Sequence, residues 1–206
     1  MCTRFFIDKS AEEFRAITYL AKRSPLAKKF IAAGSRIYTE GEIRPTNVVP
    51  VIAPSPAGKR MVYPMKWGFS DKEHGRIFFN ARSETAAQKP SFSEAWVSHR
   101  CIIPASFYFE WEHFKSPSGK ERTGDKFAIQ PRSSSCTWLC GLYRIEEGFP
   151  VFVILTREPE GSVKEIHDRM PLILPKEKCS LWIDPRTNPA ELLPCALTDM
   201  ITERQV

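Results

Sequence analysis

Residues 101–111 read CIIPASFYFEW and form a β-rich run near the middle of the chain. β-Branched and aromatic side chains dominate this run, and such side chains favour the extended backbone of a strand. Three further segments of similar character follow at residues 126–130, 137–143 and 149–156. The last of them is apolar at almost every position, which is typical of a strand buried on both faces. The centre of the chain is therefore predicted to be a β-sheet system.

The segments before this run contain more extended structure. Residues 2–8 predict a short strand. Residues 48–53 and 60–67 predict two strands that are joined by a turn at residues 54–58, where proline and glycine occur together. This pattern indicates a hairpin.

Helices are predicted at three places. Residues 10–13, Ser-Ala-Glu-Glu, offer a capping box, and apolar side chains then recur at helical spacing until Pro25, after which a polar connection follows. Residues 91–94 begin a second, short capped helix that ends near Arg100. A third helix is predicted over residues 176–183.

Strands outnumber helices and are joined by gaps of hairpin length, which favours the α+β fold class. We predict a single domain over residues 1–206, with curved, mainly antiparallel β-sheets that form an open barrel-like core. Short helices flank this core, and the C-terminal segment at about residues 176–206 is predicted to be helical.

The composition limits the classes of protein to which the chain can belong. With 206 residues, 42% of them hydrophobic, it has the size of one domain. No run approaches the ~20 apolar residues that cross a bilayer, and no secretory signal is recognisable, so we expect a cytoplasmic protein without a membrane partner. The formal net charge of +6 favours a polyanionic partner, because a basic surface attracts phosphate groups.

The six cysteines predict neither a disulfide scaffold nor a metal site. They are sparse and irregularly placed, whereas disulfide-stabilised domains are small and rich in cysteine. Cys136 and Cys140 are the only close pair, and their apolar surroundings are typical of a buried strand rather than of half a zinc site. No cofactor is predicted.

Cys2 follows the initiator methionine, and this position gives it an unusual chemistry. Methionine aminopeptidases usually remove the initiator when the next side chain is small, which would leave a terminal 1,2-aminothiol. Its amine and thiol have ordinary pKa values of ~7.7–8.0 and ~8.5, so both nucleophiles are expected near neutral pH. An aldehyde can form an imine with the amine and then be captured by the sulfur as a thiazolidine. The alternative is a small residue at a frayed terminus.

Two side chains are candidates for proton transfer. Glu110 lies in an aromatic run, where desolvation would raise its pKa towards neutrality. His167 titrates near neutrality, and the following Asp168 could orient it while Arg169 reaches for a phosphate. The alternatives are an edge-strand carboxylate that faces water and a histidine with a structural hydrogen bond. The remaining histidines are interpreted as surface residues: His74, His99 and His113.

Two further motifs suggest contacts with a ligand. Residues 80–84, Asn-Ala-Arg-Ser-Glu, follow an apolar segment and could present an amide and a guanidinium together, although an ordinary turn with an Arg–Glu pair explains them equally well. Trp67 precedes Gly68, and nucleobases stack on such aromatic plates. A core tryptophan at the end of a strand is the alternative.

These motifs, in their order, resemble those of the SOS-response-associated peptidase family. The resemblance extends from residue 2 to about residue 174, and seven motifs in the same order make it specific. At one position the chain differs, since Thr3 stands where the family usually has glycine, and threonine resists backbone angles that glycine adopts. The motifs are Met1-Cys2-Thr3-Arg4-Phe5, Arg44-Pro45-Thr46-Asn47, Trp67-Gly68, Asn80-Ala81-Arg82-Ser83-Glu84-Thr85, Arg100-Cys101-Ile102-Ile103-Pro104-Ala105, Phe107-Tyr108-Phe109-Glu110-Trp111 and His167-Asp168-Arg169-Met170-Pro171.

The resemblance implies a sensor of abasic sites in single-stranded DNA. Such a protein cross-links itself to the ring-opened sugar through the mature Cys2 and shields the lesion during the DNA damage response. By the same resemblance, Asn80 holds the lesion, Glu110 shuttles protons, and His167 assists opening of the sugar and release of the adduct. We expect a monomer at the nucleoid. The implied DNA contacts are phosphate contacts by Arg4, Arg82 and Arg169, stacking by Trp67 and a contact by Asn47.

Two other functions fit parts of the pattern. Cys2, His167 and Glu110 could be the nucleophile, base and orienting acid of a cysteine peptidase or amidase, which could remove its own N-terminal residue. A non-enzymatic module that coats damaged single strands is the third possibility. A denaturation-resistant adduct with abasic single-stranded DNA separates these functions: Cys2→Ala abolishes it for a cross-linker, a peptidase ignores the lesion, and passive binding survives the substitution.

Overall fold

A computed structural model describes residues 2–115 and 119–205 of the chain. Within these residues the chain forms strands, α-helices and short 3-10 helices. The strands are β1 (Arg4–Ile7), β2 (Gly41–Ile43), β3 (Val48–Pro54), β4 (Arg60–Trp67), β5 (Phe69–Asp71), β6 (Arg76–Phe78), β7 (Asn80–Arg82), β8 (Arg100–Ala105), β9 (Phe107–Lys115), β10 (Glu121–Pro131), β11 (Thr137–Glu146), β12 (Phe149–Arg157), β13 (Met170–Pro171) and β14 (Met200–Gln205). The α-helices are α1 (Glu12–Arg23), α2 (Pro25–Ala32), α3 (Ser93–Ser98) and α4 (Cys179–Ile183), and the 3-10 helices are Gly161–Glu165, Lys176–Lys178 and Pro189–Cys195.

Two sheets contain most of the strands. In the first sheet, β14, β10, β9, β1 and β2 lie side by side in that order and pair antiparallel. In the second sheet, β11, β8, β3, β4 and β12 pair in succession, and β12 also pairs with β11, which closes them into a ring. The β12–β4 pair is parallel, and β7 and β13 extend β12. The predicted α+β fold with mainly antiparallel sheets is confirmed, although the ring is closed where the sequence predicts an open one.

Buried aromatic side chains connect the first sheet to the ring. Phe5 of β1 packs on Trp67 of β4 with ring centroids 5.3 Å apart, and Trp67 stacks on Phe152 of β12 at 6.0 Å. All three are fully buried. Residues 150–156 of β12 are also buried, as predicted for a strand with apolar side chains on both faces. This packing holds β1, and the residues that precede it, against the ring.

The helices near the N-terminus differ from the prediction. α1 begins after Ala11 without a side-chain cap, so the predicted capping box does not form. The sequence pattern does not predict α2, because it places the end of α1 at Pro25. Pro25 instead occupies the first position of α2, where its missing N–H costs no hydrogen bond, and the Ser24 side chain caps the backbone N–H of Leu26.

The other two helix predictions also need correction. α3 forms without the predicted side-chain cap. The helix predicted at residues 176–183 is a 3-10 turn that continues into α4. Helical structure ends at Cys195, and Met200–Gln205 is a strand, so the prediction of a helical segment to residue 206 is wrong. This strand covers the edge of β10, which would otherwise present unpaired backbone groups.

Gly68 occupies a position that no other residue fits. Its φ of 130° is unfavourable for residues with a side chain, and a Cβ here would lie 2.6 Å from Cγ2 of Ile77 and 3.1 Å from the Phe79 ring. Its backbone N–H donates to the Phe152 carbonyl at 2.7 Å. The Trp67-Gly68 motif therefore has a structural role, which is to turn β4 into the β5–β6 hairpin beside Asn80.

Candidate active site

Cys2 lies beside the middle of the first sheet. β1 pairs with β9 through Arg4–Phe109 and Phe5–Tyr108, and continuation of this register brings the chain at Cys2 next to Trp111. Cys2 is fully buried, and its Sγ lies 3.7 Å from the Arg4 carbonyl oxygen. The alternative of a frayed terminus is therefore wrong.

Burial also changes the chemistry expected of the Cys2 thiol. It raises the pKa of the thiol far above its usual range, and the negative charge of Glu110 raises it further. The expectation of appreciable thiolate at neutral pH is therefore wrong for this buried state. A base next to the thiol is needed to make the sulfur nucleophilic.

Glu110 is a candidate for such a base, because its charge interacts with the Cys2 thiol. It lies on β9, between β1 and β10, and its side chain is 3% exposed. The alternative of an edge-strand carboxylate facing water is wrong, because β9 is an interior strand and Glu110 points inward. Burial raises the pKa of Glu110 to about 7. At neutral pH this carboxyl group can therefore both accept and donate a proton.

His167 is held against Glu110 by the segment that follows the 3-10 helix Gly161–Glu165. Its backbone N–H donates to the Val163 carbonyl at 3.0 Å, and its Nε2 lies 3.7 Å from Oε1 of Glu110. The Arg169 N–H donates to Nδ1 at 3.0 Å, and Oδ1 of Asp168 lies 2.7 Å from the same nitrogen. These two contacts need different protonation states, since Nδ1 accepts in the first and donates in the second. Burial lowers the pKa of His167 to about 4, so it is neutral near pH 7.

His113 is a neighbour of the site that the sequence interpretation missed. Its ring packs on His167 with centroids 4.4 Å apart, and its backbone N–H donates to the Ile166 carbonyl at 2.9 Å. The side chain is exposed, as predicted, but it covers a buried imidazole. No local pattern predicts this contact, because the two histidines are far apart in the sequence.

Asn80 and Arg82 lie on β7, which pairs parallel with β12. Oδ1 of Asn80 is buried and has no hydrogen-bond partner among the described residues. The Phe79 carbonyl accepts the indole N–H of Trp67 at 2.8 Å, so the packing of Trp67 on Phe5 connects this strand to β1. A cavity of about 520 Å³ opens at Asn80, and its lining also includes Arg76, Phe78, Arg82 and Lys89.

The residues predicted to contact DNA differ in accessibility. Arg82 is exposed. Nη1 of Arg4 forms an ion pair with Glu42 at 2.8 Å. Arg169 is buried, and its Nη2 bonds to Oε2 of Glu84 at 2.8 Å and to a backbone carbonyl. Oδ1 of Asn47 accepts from the Arg44 N–H at 2.9 Å, and so caps the turn before β3.

The predicted stacking role of Trp67 does not fit this structure. Its indole is fully buried, Phe152 stacks on it, and Phe5 and Phe79 also pack against it. A nucleobase cannot reach the ring without displacing the core. The alternative interpretation, a core tryptophan at a strand end, is therefore the better one.

Across residues 2–115 and 119–205, no three His, Cys, Asp or Glu side chains are grouped so as to hold a metal ion. Within the same ranges, none of the helices has the length and apolar character needed to cross a membrane.

Proteins of known sequence match this chain over most of its length. The model of the family "SOS response associated peptidase (SRAP)" matches residues 1–205. The "Abasic site processing protein YoaM" of Bacillus subtilis (strain 168) is 31% identical in an alignment of length 175, which covers 77% of this chain and 74% of YoaM. The "Abasic site processing protein YoqW" of the same organism is 32% identical in an alignment of length 171, which covers 75% of this chain and 73% of YoqW.

Solved structures share the fold. A protein from Bacteroides thetaiotaomicron has a TM-score of 0.76 and 21% identity, and the match covers 100% of this chain and 92% of that one. A phage-related protein from Bordetella bronchiseptica has a TM-score of 0.72 and 21% identity, with 99% and 94% covered. Because the family model spans almost the whole sequence, the chain belongs to the SOS response associated peptidase family.

Proposed function

We propose that this protein captures abasic sites in single-stranded DNA by forming a thiazolidine between the mature Cys2 and the C1′ aldehyde of the lesion. The observation that carries the proposal is the joint burial of Cys2, Glu110 and His167, with a carboxyl group of pKa about 7 next to a neutral thiol. Relatives such as YoaM and YoqW, which are named abasic site processing proteins, support it. A net charge of +6 suits a polyanionic substrate.

The first step is opening of the abasic sugar. It moves a proton from the C1′ hydroxyl to the ring oxygen O4′ and leaves an aldehyde at C1′. His167 is neutral near pH 7, so it can accept the hydroxyl proton and return it at O4′. The reverse transfer closes the sugar and would accompany release of the adduct.

The second step joins the protein to the aldehyde. The Cys2 amine attacks C1′, and the resulting carbinolamine loses water to give an imine. Glu110 donates the proton that water carries away and then, as a carboxylate, accepts the thiol proton. The imine keeps its N–H proton and is therefore an iminium ion. The sulfur bonds to C1′, and the electron pair of the C=N bond moves to nitrogen, which neutralises its charge. The balance is aminothiol plus aldehyde giving thiazolidine plus water.

The remaining site residues would position the DNA. Oδ1 of Asn80, which is buried without a partner among the described residues, suits a hydrogen bond from a hydroxyl group of the lesion. Arg82 would contact a flanking phosphate, and Arg169 would do so after exchanging its bond to Glu84. Asn47 would make a further contact. We also propose that the protein acts as a monomer at the nucleoid and in this way shields the lesion.

A cysteine peptidase receives less support from the geometry. Such an enzyme needs a thiolate, which a paired histidinium stabilises. Here burial raises the pKa of Cys2 and lowers the pKa of His167, so the thiolate–imidazolium pair is disfavoured twice. Removal of its own initiator methionine would remain compatible with the proposed function, since it produces the terminal amine that the chemistry requires.

The experiment is a denaturing gel with protein that lacks Met1 and a single-stranded oligonucleotide with one abasic site. Wild-type protein is expected to give a shifted band that survives denaturation, and Cys2→Ala to give none. With borohydride present, Cys2→Ala is expected to give a band again, because its amine still forms an imine that reduction traps. Cys195→Ala is the matched control, since it removes a cysteine that is only partly buried.

Two results would contradict the proposal. One is an undiminished band after the terminal amine has been blocked with the thiol intact. The other is a band of wild-type intensity from Cys2→Ala without borohydride.

A further inference from the structure

Three cationic side chains surround one carboxylate on the first sheet. Arg4 Nη1 and Arg44 Nε lie 2.8 and 3.2 Å from Oε1 of Glu42. Nζ of Lys126 lies 3.0 Å from Oε2. Among the described residues, none of these cations forms an ion pair with another carboxylate. This group of four residues, the Glu42 cluster, therefore carries a net charge of +2.

The strand pairings place this cluster on one face of the sheet. Arg4 lies on β1, Glu42 on β2 and Lys126 on β10, and the registers of β1 with β2 and β9, and of β9 with β10, direct the three side chains to the same side. Phe5 and Tyr108 point to the opposite side, into the core. The cluster is thus a surface feature and not part of the buried proton-transfer site.

The cluster begins close to the reacting residue. Arg4 follows Cys2 by two positions, and two residues of extended chain span about 6.6 Å. When the abasic sugar of a DNA strand reaches Cys2, a neighbouring phosphate of that DNA strand is therefore within reach of Arg4. Lys126 extends the positive surface onto β10. Arg44 extends it in the other direction, beyond β2.

The cations are accessible and held in place. The side chains of Arg4 and Lys126 are 29% and 28% exposed, and that of Arg44 is 63% exposed. Nζ of Lys126 lies 3.6 Å from the centre of the Phe109 ring, and this cation–π contact helps to hold the ammonium group in place. Partly exposed carboxylate ion pairs are weak, and a phosphate oxygen accepts the same hydrogen bonds from Arg and Lys.

We propose that the Glu42 cluster is a phosphodiester-binding subsite for the strand next to the lesion, in which Glu42 is a resident counter-ion that the phosphate displaces. This inference rests on the proposed function. It assigns phosphate contacts to Lys126 and Arg44, and it gives Glu42 the opposite effect, that of a competitor. Without DNA, Glu42 keeps the three cations together on the sheet surface.

The test measures reversible binding of the wild-type protein to an intact single-stranded oligonucleotide at several salt concentrations. Lys126→Met and Arg44→Met are each expected to weaken binding and to lower the slope of log K against log salt by about 0.7, the value for one phosphate contact on a single strand. Glu42→Gln is expected to tighten binding roughly two- to fivefold, because the competitor is removed.

The Glu13–Lys176 pair supplies matched controls. Lys176 is ion-paired with Glu13 and lies over the Trp138 ring at 6.0 Å, so it resembles Lys126 in its surroundings. Lys176→Met and Glu13→Gln change the net charge by the same amounts as the test variants. They are expected to leave the salt slope and the affinity unchanged.

A second measurement locates the contact. In abasic oligonucleotides, one phosphate at a time is replaced by a neutral methylphosphonate. The loss of DNA affinity caused by Lys126→Met is expected to disappear in one of these oligonucleotides, the one in which the phosphate that Lys126 contacts has been neutralised.

The inference is overturned if Lys126→Met and Lys176→Met give the same slope and affinity. It is also overturned if Glu42→Gln lowers thermal stability without tightening binding, since the cluster is then only structural. Failure of the proposed function is distinguishable, because an intact oligonucleotide contains no aldehyde. If the Cys2-dependent adduct forms and the variants leave the salt slope unchanged, only the subsite is disproved. If the variants change the salt slope and no adduct forms, only the cross-linking chemistry is disproved.

Discussion

Two groups of buried polar side chains differ in how fully they are hydrogen-bonded. Arg100 is 1% exposed, and its guanidinium donates to five backbone carbonyl oxygens. At the candidate active site, Oδ1 of Asn80 is buried without a partner among the described residues, and so is the hydroxyl of Tyr108, whose side chain interacts electrostatically with Cys2 and Glu110. Buried polar groups in proteins are nearly always paired. Folding alone therefore satisfies the first group, whereas the second group keeps hydrogen-bonding capacity that a ligand could use. The carbonyls around Arg100 belong to Trp96, Val97, Trp182, Asp184 and Thr187.

The two groups also differ in what burial does to their charges. Burial lowers the pKa of Arg100 as well, but the guanidinium keeps its positive charge because the five carbonyl dipoles solvate it in place of water. At the site, burial raises the pKa of Cys2 and of Glu110 and lowers that of His167. Each of the three is thus shifted towards its neutral form, which is the form that proton transfer near pH 7 requires. One group stabilises the fold, and the other suits the proposed reaction.

Glu110→Gln tests this distinction with the largest expected effect. Loss of a general acid–base group typically slows a reaction by about 10²- to 10⁴-fold, so the rate of adduct formation is expected to fall by at least about 100-fold. The fold should persist, because glutamine has nearly the same shape. Quantitative denaturing gels over time measure the rate, and Glu112→Gln, a partly exposed carboxylate on the same strand, is the control. An adduct rate within threefold of wild type would remove Glu110 from the mechanism.

Arg100→Met is expected to lower the stability of the fold, in contrast to Glu110→Gln, which slows adduct formation. It removes the partner of five buried carbonyls, and loss of one member of such a buried network costs about 3–5 kcal/mol of the free energy of unfolding. Urea unfolding followed by circular dichroism measures the loss. Arg186→Met is the control, because its side chain is 88% exposed and a change of less than about 0.5 kcal/mol is expected. A similar effect for both variants would mean that the Arg100 network does not stabilise the fold.

Glu110 also makes stability depend on pH. Its pKa rises from an ordinary 4.5 to about 7 on folding, so between these values the folded state binds more protons than the unfolded state. The contribution of Glu110 to stability is therefore expected to fall by roughly 3 kcal/mol as pH rises from about 4.5 to about 7, while the lowered pKa of His167 acts in the opposite direction. Relative to wild type, Glu110→Gln should therefore gain stability as pH rises, which urea unfolding of both proteins at pH 5 and pH 8 measures. A change of equal size in both proteins would show that other groups cause it.

The sequence predicts those features that depend on neighbouring residues. The hairpin of β3 and β4 follows from a turn between two strand-forming segments, and both strands are present. The aromatic run around Glu110 predicts a desolvated carboxyl group, and Glu110 is buried. In both cases the pattern and the structure involve the same few residues.

Features that depend on distant elements escape such prediction. β14 forms because β10 offers an edge, and nothing within residues 200–205 indicates that edge. Trp67 is covered by Phe5 and Phe152, which come from two other strands, so its burial is invisible in its own motif. α2 was missed for a different reason, since Pro25 can end one helix or begin the next.

Asn80→Ala sharpens the comparison with a smaller effect. An acceptor that is paired only when the lesion is bound contributes to the reaction and not to the fold, so the adduct rate is expected to fall about tenfold with little loss of stability. Asn188→Ala is the matched control, because Oδ1 of Asn188 already accepts from the Ala190 N–H and caps a 3-10 helix. That variant is expected to lose about 1 kcal/mol of stability and no adduct rate. If Asn80→Ala instead destabilises the protein as Asn188→Ala does, Asn80 belongs to the structural group.

The smallest expected effect concerns His113. Its ring packs on His167, and its positive charge, when present, adds to the burial that lowers the pKa of His167. In His113→Gln the pKa of His167 is expected to rise from about 4 by less than one unit, which an NMR titration of the His167 ring protons measures. The pH at which the rate of adduct formation falls on the acid side of its pH profile should rise by the same amount. His99→Gln, whose ring packs on Tyr143, is expected to leave both unchanged. If His113→Gln leaves the titration of His167 unchanged as well, burial and Asp168 set the pKa of His167. The exposed imidazole of His113 then does not contribute to keeping His167 neutral.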